Sequence, residues 1–247
     1  MDRAYGLNIL LVSDMRTRFA TIVLVALSAC QKSPPPSAPV AQLSATRADT
    51  PDQPIAPDSV AREKLVDLST VAPGARFELR YATTNNFTGA VLPGYGAARP
   101  LLRREAAAAL AQVEAALEKS GYALKVFDGY RPRRGTLGMV AWCEKNKRVD
   151  LLDNGYIARR SRHNQGVAID LTVVELTTGA ELDMGTPFDD FTAKAHTANA
   201  SGVQAANRKI LGDAMGRAGF VNYVDEWWHF SFDVADPMPF DLALENW

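Results

Sequence analysis

Between residues 102 and 232 the spacing of apolar positions changes several times, and each change marks an element. Leu110, Val113 and Leu117 recur at helical steps inside an alanine-rich run, which predicts a helix over 102–120 that Gly121 ends. Tyr122 to Phe127 predicts a strand, 136–147 a second helix, and Val167 to Val174 another strand. A third helix is predicted over 205–219 with Ile210, Leu211, Ala214 and Met215 inward, and a last strand over 228–232. Upstream, the folded part is expected to begin near Lys64 to Leu68. Phe77, Leu79 and Tyr81 alternate with charged residues there, as in a half-buried strand. Asn85 to Gly96 is rich in Asn, Gly and Pro and predicts a long loop. Helices and strands interleave without a regular βαβ period, and no internal repeat is present. The expected fold class is α+β, a mainly antiparallel central sheet flanked by helices.

The N-terminal part has a different texture. Thr21 to Ala29 is an unbroken small and apolar run behind Arg16 and Arg18, the pattern of a signal peptide, and too short for a membrane span of about 20 residues. It ends in Leu27-Ser28-Ala29-Cys30, which resembles a bacterial lipobox and implies lipidation at Cys30. Residues 1–30 are therefore expected to be a lipoprotein leader, with translation starting at Met15 as an alternative. Residues 31–60 hold seven of the 14 prolines and no apolar period, so they are expected to form a disordered tether, with the folded domain at 61–247. These features predict an exported bacterial lipoprotein on the periplasmic side of the membrane, with the outer membrane suggested by Gln31 after the lipidated position.

Composition narrows the function classes. With 47% hydrophobic and 22% charged residues the chain is ordinary globular material, and its net charge of -1 offers no basic surface for nucleic acid. Nothing implies a protein partner. With Cys30 assigned to lipidation, Cys143 is left in an apolar helical stretch without a cysteine to pair with, so no internal disulfide is expected.

The chemistry concentrates in two clusters. His163 lies in a polar loop, and Asp170 follows it inside the apolar strand, on the face shared with Ala168 and Thr172 and opposite Ile169, Leu171 and Val173. A carboxylate in such a strand needs a partner, and a metal ion is a strong one. Gly166 permits the turn that would bring His163 back over Asp170. The second cluster, Glu226-Trp227-Trp228-His229-Phe230, sets a carboxylate and an imidazole among large aromatics. Two of the three histidines thus fall beside carboxylates. A His, Asp, His set leaves zinc an open fourth position, the catalytic pattern. If 228–232 is a strand, Glu226 must precede it in a turn, within reach of the metal site without being a ligand.

These motifs, Ser161-x-His163-x-x-Gly166-x-Ala168-x-Asp170, Glu226-x-x-His229 and Asp128-Gly129-Tyr130-Arg131-Pro132, together resemble the VanX-like D-alanyl-D-alanine dipeptidases, zinc peptidases that share a fold with the Hedgehog signalling domain. The resemblance extends to Tyr81 through Gly89 and to Met184-Gly185 with Phe188-Asp189. It implies one zinc ion held by His163, Asp170 and His229, Glu226 as the catalytic base, and Arg131 polarising the scissile carbonyl. It also implies Asp189 pairing with the substrate ammonium, and Ser161 and Tyr81 lining the pocket. The expected substrate is a small D,D-dipeptide from peptidoglycan turnover. Alternatives are a DD-carboxypeptidase or cell-wall endopeptidase on the same scaffold, and a non-catalytic metal- or cell-wall-binding lipoprotein. Residues 133–160 are compact where the family carries a longer insertion, so one wall of the cavity is expected to be more open. His196 and Asp183 receive no role.

Overall fold

The computed structural model describes residues 53–247, so the leader, Cys30 and most of the tether lie outside the described residues. The first helix, α1 (Asp58–Lys64), begins inside the stretch expected to be tether. Just ahead of it the Ala56 amide donates to the Pro239 carbonyl at 2.9 Å, which ties this end of the domain to the C-terminal segment.

There follow β1 (Leu65–Asp67), the single turn α2 (Leu68–Val71), β2 (Arg76–Phe77), β3 (Leu101–Arg103), α3 (Arg104–Glu118), β4 (Tyr122–Asp128) and α4 (Arg133–Lys145). The second half contains a short α5 (Asp150–Asp153), β5 (Ala168–Glu175), α6 (Gly202–Arg217), β6 (Phe220–Asn222) and β7 (His229–Phe232). Strands β1 and β3 pair with each other, and the central sheet has the order β2-β4-β5-β7-β6.

The central sheet is mixed, which corrects the expectation of a mainly antiparallel one in part. Pairings β4–β5, β5–β7 and β6–β7 are antiparallel, but β2 runs parallel to β4. The cause is connectivity. The chain leaves β2, crosses over through α3, and re-enters the sheet in the same direction, as a parallel pair requires. The strand expected across Phe77, Leu79 and Tyr81 is also shorter than its alternation suggests. Glu78 still donates its amide to the Val126 carbonyl at 2.9 Å, but a 3-10 turn at Arg80–Ala82 follows. Leu79 and Tyr81 are both buried, yet in different cores, and the turn rotates Tyr81 away from the sheet.

The first core lies between one sheet face and helices α3 and α6. Ile169, Leu171 and Val173 meet Leu110, Val113, Leu211 and Met215 there, each of the strand residues contributing about 1.5–3 kcal/mol by burial. The second packs α1, α4 and α5 against a C-terminal segment through Met139, Val140, Cys143, Phe240 and Leu242. Strand β5 is buried at every position but Glu175, so its other face, with Ala168, Asp170 and Thr172, is also covered.

Candidate active site

The sheet register builds the centre of the site. Asp128 at the end of β4 is opposite Asp170 on β5, after an irregularity between Val126 and Asp128, and Asp170 is in turn opposite His229 on β7. Three polar side chains remote in sequence thus stand in one row across three adjacent strands. His163 comes from a 3-10 turn (Arg162–Gln165) just ahead of β5. Ser161 caps that turn, its hydroxyl accepting from the His163 amide while Asn164 accepts from the Ser161 amide at 3.3 Å. Gly166, at φ 67°, ends the turn in the left-handed region and starts β5.

His163, Asp170 and His229 converge. His229 Nδ1 is 2.9 Å from Asp170 Oδ1, His163 Nε2 is 3.3 Å from Asp170 Oδ2, and the two facing imidazole nitrogens are 3.2 Å apart. The Gly129 carbonyl lies 2.7 Å from His163 Nδ1, which assigns the proton there and turns Nε2 toward the centre. Two observations show that these residues fit a metal ion. Tetrahedral zinc with N and O ligands near 2.1 Å spaces its donors about 3.4 Å apart, close to the separations here. Charge agrees: Asp128, Asp170 and Glu226 are all buried, and Arg131 is the one guanidinium beside Asp128 and Asp170, a negative surplus that a cation would balance. Burial by itself would raise the Asp170 carboxyl, but His163 and then His229 hold it below the ordinary carboxylate range.

Glu226 lies in the turn ahead of β7, buried, with Oε2 3.8 Å from His229 Nδ1. Its backbone carbonyl accepts from the His229 amide at 3.2 Å, and Asn222 Nδ2 donates to the carbonyls of both Glu226 and His229 at 3.0 Å, which fixes the turn at both ends. Arg131 sits across from this group. Its Nε donates to Asp128 at 3.0 Å, its Nη2 is 2.9 Å from the same carboxylate and 3.7 Å from Asp170, and its guanidinium lies 5.0 Å from the centre of the Tyr81 ring. Burial would lower its basicity, but Asp128 above all keeps it charged.

Asp189 marks the other end. It adopts a φ of 62°, uncommon for a side chain other than glycine, and Tyr81 donates its hydroxyl toward both carboxylate oxygens, at 3.0 and 3.2 Å. Burial and then the charge of Asp170 push its carboxyl up to about 8. One cleft of about 360 Å3, mouth included, contains the metal-donor triad, Glu226, Arg131, Asp189, Tyr81 and Ser161. Tyr156, Ile157 and Ala158, from the compact stretch 133–160, line one side of it.

Several contributors escaped the sequence reading. Asp128 is one, although the rule applied to Asp170 covers it equally: a carboxylate closing an apolar strand needs a partner. Tyr95, from the long loop, donates to Asp128 at 2.6 Å and nothing in its local pattern announces this. Arg208 is another, buried on the face of α6 expected to be apolar. It donates to the carbonyls of Met184, Lys194 and His196 at 2.7–3.0 Å and so fastens the loop that carries Asp189.

Two donors on adjacent strands, Asp170 and His229, with His163 from the turn ahead of β5, a carboxylate beside them and a guanidinium near them define a metallohydrolase centre. Residues 61–239 match the peptidase M15 family model, described as D-ala-D-ala dipeptidase. A D-alanyl-D-alanine dipeptidase of Streptomyces coelicolor is 34% identical over 189 residues, covering 69% of this chain and 93% of its own. That of Escherichia coli is 36% identical over 178 residues, covering 71% and 88%. The chain belongs to the D-ala-D-ala dipeptidase family of M15 peptidases. Among solved structures, VanYB in complex with D-Alanine-D-Alanine aligns at a TM-score of 0.34 and 13% identity over 54% of this chain and 72% of its own.

Proposed function

We propose that this chain is a zinc-dependent dipeptidase that hydrolyses D-alanyl-D-alanine or similarly small D,D-dipeptides released in peptidoglycan turnover. The observation that carries this reading is the joint presence, in one small cleft, of the metal-donor triad with Glu226 at one end and Asp189 at the other. Family membership and the curated relatives named D-alanyl-D-alanine dipeptidase support it.

His163, Asp170 and His229 would hold the zinc ion, which when bound supplies a Lewis acid and a more acidic water. Glu226, adjacent to the triad but outside it, takes the proton from the attacking water and returns it to the leaving amine as the peptide bond breaks. Arg131 places a fixed positive charge beside the triad, where the carbonyl oxygen gains negative charge. Asp189 pairs with the substrate ammonium and orients the dipeptide, and Tyr81 holds that carboxylate in place. Ser161 contributes to the rim while capping the turn under His163.

The expected Hedgehog-like scaffold and the lipid anchor belong to the same proposal. The apolar run ending in Leu27-Ser28-Ala29-Cys30 supports export and attachment through Cys30, with residues 31–52 and the few that follow as spacer. Release of free D-alanine from D-alanyl-D-alanine by the zinc-loaded protein tests the catalytic reading. Glu226→Ala and a chelator should each abolish release, and a zinc-loaded wild-type protein that releases none overturns it. Loss of labelled fatty acid in Cys30→Ala tests the anchor.

A further inference from the structure

The cleft has a wall that the hydrolytic machinery does not use. Tyr156, from the segment after α5, faces into the cleft, and its hydroxyl lies 3.0 Å from His196 Nε2. His196 Nδ1 is 3.6 Å from Asp225, the residue just before Glu226, and the His196 backbone carbonyl is held by the buried Arg208. The Tyr156 ring also leans on Phe191, two residues beyond Asp189, with 5.8 Å between ring centres. Phe191 in turn packs edge-to-face on Phe87, with 5.1 Å between ring centres. Tyr156 is thus the point where the α5 segment is tied to the loop bearing Asp189 and His196.

We propose that Tyr156, braced by His196, closes the cleft beyond Asp189 and makes the protein selective for dipeptides with a free amino end over peptides extended at that end. The inference rests on the dipeptidase reading and deepens it. A substrate whose ammonium meets Asp189 has its next residue, if it had one, directed at the surface that Tyr156 and Phe191 cover. Attraction to Asp189 rewards the free ammonium, and the Tyr156 wall refuses the extension, so selectivity has an attractive and a repulsive part. Tyr156 is a specificity residue, and His196 a positioning residue acting through it.

The test compares D-alanyl-D-alanine with L-alanyl-D-alanyl-D-alanine on the zinc-loaded wild type, Tyr156→Ala, His196→Ala and His196→Gln. The ratio of kcat/KM for tripeptide over dipeptide should rise about tenfold or more in Tyr156→Ala and several-fold in His196→Ala. His196→Gln, which can still bond the Tyr156 hydroxyl, should restore it. A purely structural role for His196 would depress both substrates together and leave the ratio unchanged, and that result overturns the proposal. Amide exchange across 150–161 supplies an arm that needs no activity: it should quicken in Tyr156→Phe and His196→Ala, and unchanged exchange overturns the brace. If the wild type cleaves neither peptide, the dipeptidase reading fails and the selectivity role with it, while exchange still decides whether the brace exists.

Discussion

Asp128 and Asp170 stand opposite each other on neighbouring strands, and one guanidinium, that of Arg131, lies against both, 2.9 Å from the first and 3.7 Å from the second. Asp128 also accepts from Tyr95 at 2.6 Å, so it is anchored from the loop side as well. The direction in which Arg131 points is therefore set by a residue that does not itself line the cleft.

Replacing that anchor should loosen the guanidinium without emptying the metal site. Asp128→Asn is expected to lower kcat about 10- to 100-fold, the usual effect of losing an orienting partner. Zinc content by mass spectrometry should stay near one per chain. Asp128→Ala removes the acceptor of the buried Arg131 Nε and Nη2 and leaves those donors unpaired, so the fold should be destabilised by about 3–5 kcal/mol.

Asp189 ties stability to pH. Its carboxyl, raised to about 8 in the metal-free chain, binds a proton more readily folded than unfolded. Its contribution to stability is complete below the ordinary aspartate value of about 3.9 and is lost as pH rises through about 8. Asp189→Asn cannot lose that proton. The metal-free variant should therefore melt above its parent at pH 8 and beyond, with the gap closing in acid. The same variant should raise KM for the dipeptide about 10- to 100-fold, because a charge-assisted hydrogen bond of roughly 1.5–3 kcal/mol is gone.

Metal removal offers a third measurement. The negative surplus around Arg131 is relieved by a bound cation, so chelation should lower the melting temperature and added zinc should restore it, by an amount that grows with free zinc concentration. His229→Ala should abolish that dependence. A melting curve indifferent to zinc in the wild type would contradict the assignment of the triad.

Gly166 carries the turn between His163 and β5. An added Cβ would come within 2.5 Å of Leu65 Cδ2 and 3.2 Å of Arg103 Cγ, at a φ of 67° that disfavours any side chain. Gly166→Ala is expected to destabilise the fold by about 2–4 kcal/mol, backbone strain and overpacking together. Chemical denaturation would show it, with zinc affinity falling as His163 shifts.

The long periodic elements were legible. The helices at α3, α4 and α6 and the strands β4, β5 and β7 lie where the apolar spacing put them, within a few residues. The misses share a cause, which is that contacts distant in sequence overrode a local pattern. Tyr81 fits a strand alternation, but its hydroxyl is claimed by Asp189 and the chain turns to deliver it. Arg208 occupies a helix face that hydropathy assigns to the core, and its charge is absorbed by three backbone carbonyls that no spacing rule could anticipate. The register linking Asp128, Asp170 and His229 is equally invisible before the strands are paired. For the site residues, the meeting of His163, Asp170 and His229 with Glu226 nearby was foreseeable from a carboxylate inside an apolar strand and a second His-carboxylate cluster, whereas Arg131, Asp189, Ser161 and Tyr81 were placed there only by the family resemblance. The orienting contacts behind them were not foreseeable.

The row formed by those three residues has a further consequence. Neighbouring strands in any sheet lie about 4.8 Å apart, a distance fixed by backbone hydrogen bonds and indifferent to side-chain identity. The protein therefore borrows its ruler for the reaction centre from the peptide backbone itself. Loops at the rim can lengthen, shorten or exchange sequence during evolution and retune what enters, while the gauge at the centre stays calibrated.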